Sequence, residues 1–265
     1  MIDIEIAAAS RCGCVRYQNE DMILVGAQFI RDDDFTGHVS VEDDGRYLLA
    51  IADGMGGHNS GDVASSDTLH NLQFFFHDIP AGLDAGDFNE KLVDWHESIN
   101  TFLMSKGRSE EQYQDMGTTL IGLAYYGGNF YSMQCGDSRL YRFRNGELTQ
   151  LTIDHSLNNL LGVEKHSCIL TNCIGGGCTT SYIDIVQLSA DVQDQDVYMM
   201  CSDGLTDMID NERIASILAE GGDADALCNA AIEAGGLDNV SVCIARLTLQ
   251  GLLKTERTRY AAEIT

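Results

Sequence analysis

The chain has 265 residues, 44% of them hydrophobic, which is enough apolar material to bury one large core. Its formal net charge is −25, with 41 acidic against 16 basic residues, so it lacks the basic footprint that nucleic-acid binding needs. No apolar run approaches the roughly 20 residues that span a bilayer. Asp3 and Glu5 stand where a secretion signal would carry basic residues, so the expectation is a cytoplasmic protein with no nucleic-acid partner and no membrane insertion.

In chain order, Ile4–Ala9 reads as a first strand, 22–29 as a second and Tyr47–Ala52 as a buried third. Asp32, Asp34, Thr36 and Gly37 look like the start of a calcium loop, but Asp43 stands where that loop needs a bidentate glutamate. The segment therefore reads as an acidic connecting loop. Two helices follow. Val63, Leu69, Leu72, Phe75 and Phe76 form the apolar face of one, and Phe88, Leu92, Trp95, Ile99 and Phe102 that of the other.

From Thr118 to Leu151 the pattern is a β-meander punctuated by Gly127-Gly128, Gly136-Asp137 and Asn145-Gly146. A loop spans about 155–180. Strands are expected at 182–188 and 197–201, helices at 211–220 and 224–234, and a last strand at 240–249. Strands and helices do not alternate regularly, which favours an α+β sandwich over a parallel doubly wound sheet. Nine cysteines occur without the Cys-x-x-Cys spacing of a zinc or redox site, so they read as free thiols. There is no repeat and no proline-rich linker, which leaves one domain over 1–250 and a short tail over 251–265, locally basic at Lys254, Arg257 and Arg259.

One pattern carries chemistry. Apolar runs end abruptly in Asp followed by a small turn residue: 47–52 runs into Asp53-Gly54, 130–135 into Gly136-Asp137, and 197–202 into Asp203-Gly204. In mirror image, Asp238-Asn239 precedes the last strand, and Glu20-Asp21 precedes the second. A single Asp-Gly is an ordinary turn former. Several at strand ends would cluster carboxylates at one rim, where they repel unless protonated or neutralised. With few basic residues near them, the economical neutraliser is a hard divalent cation with oxygen ligands, Mg²⁺ or Mn²⁺ rather than zinc. Two such ions roughly 4 Å apart would activate a water and clamp a phosphate oxygen.

The blocks that hold these residues run in order along nearly the whole chain. They are VRYQNED (15–21), IADGMGGH (51–58), GTTL (117–120), CGDSR (135–139), CSDGLTD (201–207) and GLDNVSV (236–242). Together they resemble the metal-dependent protein phosphatases of the 2C type in their compact bacterial form.

The resemblance implies a four-layer α-β-β-α sandwich, two antiparallel sheets flanked by helix pairs. It implies a phosphoserine/phosphothreonine phosphatase with two Mn²⁺ or Mg²⁺ ions and a third, weaker site. Asp53 would bridge both ions, the Gly54 carbonyl would serve one, and Asp203 and Asp238 the other. Glu20 and Asp21 would hold their waters, Asp137 would join Asp203 and Asp207 at the third site, and Arg16 would grip the substrate phosphate. Hydrolysis would be direct, by an activated water. Larger relatives carry a histidine after Asp-Gly as general acid. Met55 stands there in this chain, so His58 and His155 are the candidate proton donors beside water. The expected partner is a phosphorylated protein, a kinase or its target, acted on by a monomer. A scaffold that has lost activity and a phosphodiesterase are the rival readings. The intact Asp53, Asp203 and Asp238 count against the first, and the ordered blocks against the second.

Overall fold

The computed structural model describes residues 1–56, 60–162 and 169–249. The tail expected beyond 250, and His58, lie outside the described residues. The first half of the chain supplies β1 (Ile2–Arg11), β2 (Met22–Val25), β3 (Gln28–Ile30), β4 (Asp34–Val41), β5 (Arg46–Ala52), β6 (Gly54–Met55), α1 (Gly61–Asp78) and α2 (Ala85–Ser109). The second half supplies β7 (Gly117–Thr118), β8 (Leu120–Tyr126), β9 (Asn129–Cys135), β10 (Arg139–Arg144), β11 (Glu147–Gln150), α3 (Leu157–Leu161), β12 (Ile174–Gly175), β13 (Asp184–Gln187), β14 (Val197–Cys201), α4 (Asp203–Thr206), α5 (Asn211–Ala219), α6 (Ala224–Glu233) and β15 (Val240–Leu249).

The strands form two six-stranded antiparallel sheets, β11-β10-β14-β15-β1-β4 and β13-β9-β8-β5-β2-β3, with a small three-stranded sheet β12-β7-β6. The period-2 alternation explains why the central strands read as unbroken apolar runs. In β5, Leu48, Ala50 and Ala52 face a cluster with α1 and α2, while Leu49 and Ile51 join a cluster shared with the other sheet. In β14, Tyr198 and Met200 enter that same shared cluster, and Val197, Met199 and Cys201 pack toward α5 and α6. α2 opens on Asp84, whose side chain accepts the Asp87 N–H, and closes with Lys106 and Arg108 in its last turn.

Four sequence expectations change. The span 22–29 is a hairpin of two short strands, not one strand. The acidic connecting loop becomes β4 from Asp34 onward, an edge strand whose other face is solvent-exposed, so its alternation is weak and polar. Phe102 is exposed and Leu103 takes its place in the core, because the buried stripe of α2 drifts by one residue over its 25-residue length. The meander is also not confined to one sheet. β9 and β10 lie in different sheets, and Gly136–Ser138 crosses from one to the other. Every cysteine among the described residues is a free thiol. No helix among them is long and apolar enough to cross a membrane.

Candidate metal centre

The strand register brings the acidic strand ends to one rim. In one sheet Cys201, at the end of β14, pairs with Arg139 at the start of β10 and with Val242 near the start of β15. Arg11, at the end of β1, pairs with Val240. In the other sheet Ala52, at the end of β5, pairs with Met22 at the start of β2. The residues just outside these ends are Asp203, Asp137, Asp238, Asp53 and the segment carrying Arg16, Glu20 and Asp21. One cavity of about 430 Å³ is lined by Arg16, Glu20, Asp53, Gly54, Asp137, Asp203 and Asp238, with Asp207 and Thr119 beside them. Met55, Leu170 and Cys173 form its apolar wall.

Each group is held by its own local structure. Asp53 is fixed through its peptide: Thr119 donates to the Asp53 carbonyl at 2.9 Å from its N–H, and Thr118 donates at 2.8 Å from its hydroxyl. Gly54 sits so close to its neighbours that a Cβ there would lie 2.1 Å from the Gly61 carbonyl oxygen and 2.6 Å from that of Glu20. Only glycine fits. Glu20 accepts the Gly61 N–H at 3.2 Å, at the N-terminus of α1, where a carboxylate is favoured. Arg16 donates to Asp238 at 2.6 Å.

Asp21 does not line the cavity. It is fully buried behind it, where Ser202 donates to one carboxylate oxygen at 2.8 Å and the other oxygen has no partner. Asp203 also keeps a buried oxygen without a hydrogen bond. Unpaired buried oxygens are costly, and an oxygen-seeking cation would satisfy them. The carboxylates and backbone carbonyl facing the cavity offer oxygen donors, as hard divalent ions prefer. The residues therefore fit Mn²⁺ or Mg²⁺. The carboxylates nevertheless form an open cup. Among the described residues no three His, Cys, Asp or Glu side chains are spaced to hold an ion as they stand.

The electrostatics agree with a site built for cations. Burial pushes the Asp137 carboxyl up to about 7, and Asp203 adds to the shift. Burial raises Asp53 well above the usual carboxylate range, with Asp21, Asp203, Asp137 and Asp238 all contributing. Asp203 is raised by burial and by Asp238, while a hydrogen bond with Asp53 pulls the other way. Burial also raises Glu20.

Asn239 was within reach of sequence reasoning but received no role. Its side-chain oxygen accepts the Glu20 N–H at 2.9 Å, and its amide donates to the carbonyls of Cys12 and Gln18 at 2.9 and 3.0 Å. It clips the Arg16–Glu20 segment to the loop carrying Asp238. An Asn directly after a candidate ligand, at the mouth of a strand, was the available signal. His155 is buried and absent from the cavity wall, and both its ring nitrogens are engaged within the protein.

Residues 26–226 match the family model described as protein phosphatase 2C. The chain belongs to the protein phosphatase 2C family. This 2C-type chain is 32% identical over 254 residues to the serine/threonine protein phosphatase PstP of Mycobacterium tuberculosis, covering 91% of itself but 45% of that protein. It thus spans about half the length of that relative. It is 31% identical over 241 residues to protein phosphatase PhpP of Streptococcus pneumoniae, with 84% of this chain and 94% of that one covered. The crystal structure of the PstP catalytic domain in complex with two manganese ions superposes with a TM-score of 0.73 at 30% identity, covering 94% of this 2C-type chain and all of that one.

Proposed function

We propose that the chain is a metal-dependent phosphoprotein phosphatase that hydrolyses phosphoserine and phosphothreonine at a centre of two Mn²⁺ or Mg²⁺ ions. The observation that carries this reading is the carboxylate-lined cavity, with a buried oxygen of Asp203 left unpaired in its wall, one of Asp21 unpaired behind it, and Arg16 at its edge. Bound ions of this class lower the pKa of water and polarise phosphate oxygens. Asp53 and the Gly54 carbonyl would hold one ion, and Asp53, Asp203 and Asp238 the other. Glu20 and Asp21 would orient water around them, Asp21 from behind through its buried carboxylate. Asp137, with Asp203 and Asp207, would form a third, weaker site.

Arg16 stands at the rim, half exposed and paired with Asp238. When that pair opens, its guanidinium fork is free to grip the non-bridging phosphate oxygens of a substrate. With His155 committed elsewhere, His58 or a water donates the proton to the leaving alkoxide. The three apolar clusters support a four-layer α-β-β-α sandwich as the scaffold, within one domain over 1–250. The expected setting is a cytoplasmic monomer acting on a kinase or its target.

The test is hydrolysis of p-nitrophenyl phosphate and of a phosphoserine peptide with Mn²⁺, Mg²⁺ or a chelator. Turnover should need the cation and should favour the peptide over bis-p-nitrophenyl phosphate. No turnover with either ion in folded protein would remove the proposal.

A further inference from the structure

His155 lies at the crossing of chain segments that meet beside the cavity. It is 6% exposed and sits one residue before the point where the chain leaves at Ser156, to return in a β-bridge at Leu170. Its contacts fix its tautomer. Asn172 is itself oriented by Tyr182, whose carbonyl takes the Asn172 amide N–H at 2.8 Å and whose N–H donates to the Asn172 oxygen at 3.1 Å. The amide nitrogen of Asn172 therefore points a hydrogen at His155 Nδ1, 2.9 Å away. The Gly136 N–H donates to the same Nδ1 at 3.1 Å. With two donors aimed at it, Nδ1 is an acceptor, and the ring hydrogen is on Nε2, which donates to Asp184 at 3.0 Å.

The backbone of His155 completes the grip. Its N–H donates to the Gly136 carbonyl at 3.0 Å, so Gly136 is held at both ends of its residue. Gly136 has φ of +113°, and a Cβ there would meet Thr119 at 2.7 Å. The residue is thus locked from one side by Thr119 and from the other by His155. The next residue is Asp137, on the strap that passes between the two sheets.

We propose that His155 is a positioning residue: through the Gly136 peptide it sets where Asp137 stands in the cavity, and Asp184 enforces the tautomer that makes this possible. The proposal rests on the phosphatase reading for its catalytic consequence. It treats His155 as holding a cation ligand from behind, in the manner of partners that orient ligating groups and whose loss costs about 10- to 100-fold in metal affinity.

Two replacements separate this role from simple space filling. His155→Asn places an amide oxygen near the position of Nδ1 and loses the link to Asp184. His155→Gln keeps a donor near Nε2 and loses the acceptor for Gly136. The expected order is that Asn restores and Gln does not. In His155→Gln the Mn²⁺ concentration for half-maximal phosphopeptide hydrolysis should rise about tenfold, with KM at saturating Mn²⁺ within about twofold. Calorimetric Mn²⁺ titration should lose the same weak step that Asp137→Asn loses, and adding Asp137→Asn to His155→Gln should cost nothing further. A filler that needs only bulk and the Asp184 contact predicts the opposite order, and Gln performing as well as Asn would overturn the proposal.

Amide exchange at Gly136 reads the same question without metal or activity. It should be at least about tenfold faster in His155→Gln than in His155→Asn. Equal protection overturns the positioning role even if the enzyme proves not to be a phosphatase. Should either variant fail to fold, Asp184→Ala at a half-exposed position frees Nε2 and permits the other tautomer. It should shift the Mn²⁺ requirement in the same direction by about threefold, and an unchanged requirement counts against the proposal.

Discussion

Arg16 donates from Nη2 to Asp238 Oδ2 at 2.6 Å, so the one arginine among the described residues that lines the cavity is bound to a carboxylate proposed to hold a cation. The pair is 49% and 36% exposed, and such pairs contribute at most about 1 kcal/mol to stability. Its opening is therefore easy, and one event would release both Asp238 and Arg16 for the roles proposed for them.

From this follows a split response to Arg16→Ala. KM for a phosphoserine peptide should rise about tenfold or more, as expected for loss of a charge-assisted phosphate contact worth about 1.5–3 kcal/mol. The Mn²⁺ concentration for half-saturation should fall, because Asp238 no longer has a competing partner. Steady-state kinetics over a Mn²⁺ series reads both quantities, and an unchanged KM contradicts the assignment.

Asp203→Asn should lower kcat by about 100-fold or more at saturating Mn²⁺, because a neutral amide would be a poor ligand for the ions proposed to activate water. The metal-free protein should melt at the same temperature or higher, since one charge leaves a repulsive, buried cluster. Near-normal turnover would exclude Asp203 from the centre.

The cluster also predicts an inverted pH dependence for the metal-free protein. The Asp137 carboxyl rises to about 7 in the fold, from an ordinary value near 4, and Asp53 and Glu20 shift in the same direction, all through burial first. Between those limits the folded state binds more protons than the unfolded chain, so stability falls as pH rises. His96 works against this. Burial lowers it to about 4, so its contribution is lost as pH falls from about 6.5 toward 4. Chelated protein should therefore melt several degrees lower at about pH 7.5 than at about pH 6, and Mn²⁺ should abolish or reverse the difference. Scanning calorimetry with chelator and with Mn²⁺ checks it; a flat metal-free profile refutes it.

Gly54→Ala should be a damaging single-carbon change in the cavity wall. The added carbon would sit at 2.1 Å from the Gly61 carbonyl oxygen, so backbone must move on both sides. A loss of about 1–3 kcal/mol is expected from overpacking, together with loss of Mn²⁺-dependent turnover. Denaturant unfolding and activity at saturating Mn²⁺ measure the two separately.

Much of this was legible before the structure, for a reason visible in β5 and β14. Strands buried on both faces read as apolar runs, and an Asp that interrupts such a run marks the rim. The misses share the opposite cause. β4 is an edge strand with one solvated face, so its alternation is blurred by Asp34, Thr36, His38 and Ser40. The sheet change at Gly136–Ser138 leaves no periodic trace, because a turn between strands of one sheet and a strap between two sheets use the same residues. Asp21 and Glu20 are adjacent in sequence yet stand on opposite sides of the cavity wall, a difference set by the hydrogen bonds of Ser202 and Gly61 and not by residue type.

The strap at Gly136–Ser138 has a mechanical consequence. Asp53 extends from one sheet, Asp203 and Asp238 from the other, and Asp137 rides on the chain that stitches them together. The proposed centre would therefore lie on a seam, with its ligand spacing set by how the two sheets sit on each other. Side chains in the interior between them, such as Ile51, Ile121 and Tyr198, set that spacing, so a change of volume there would be felt at a proposed metal site that none of them touches.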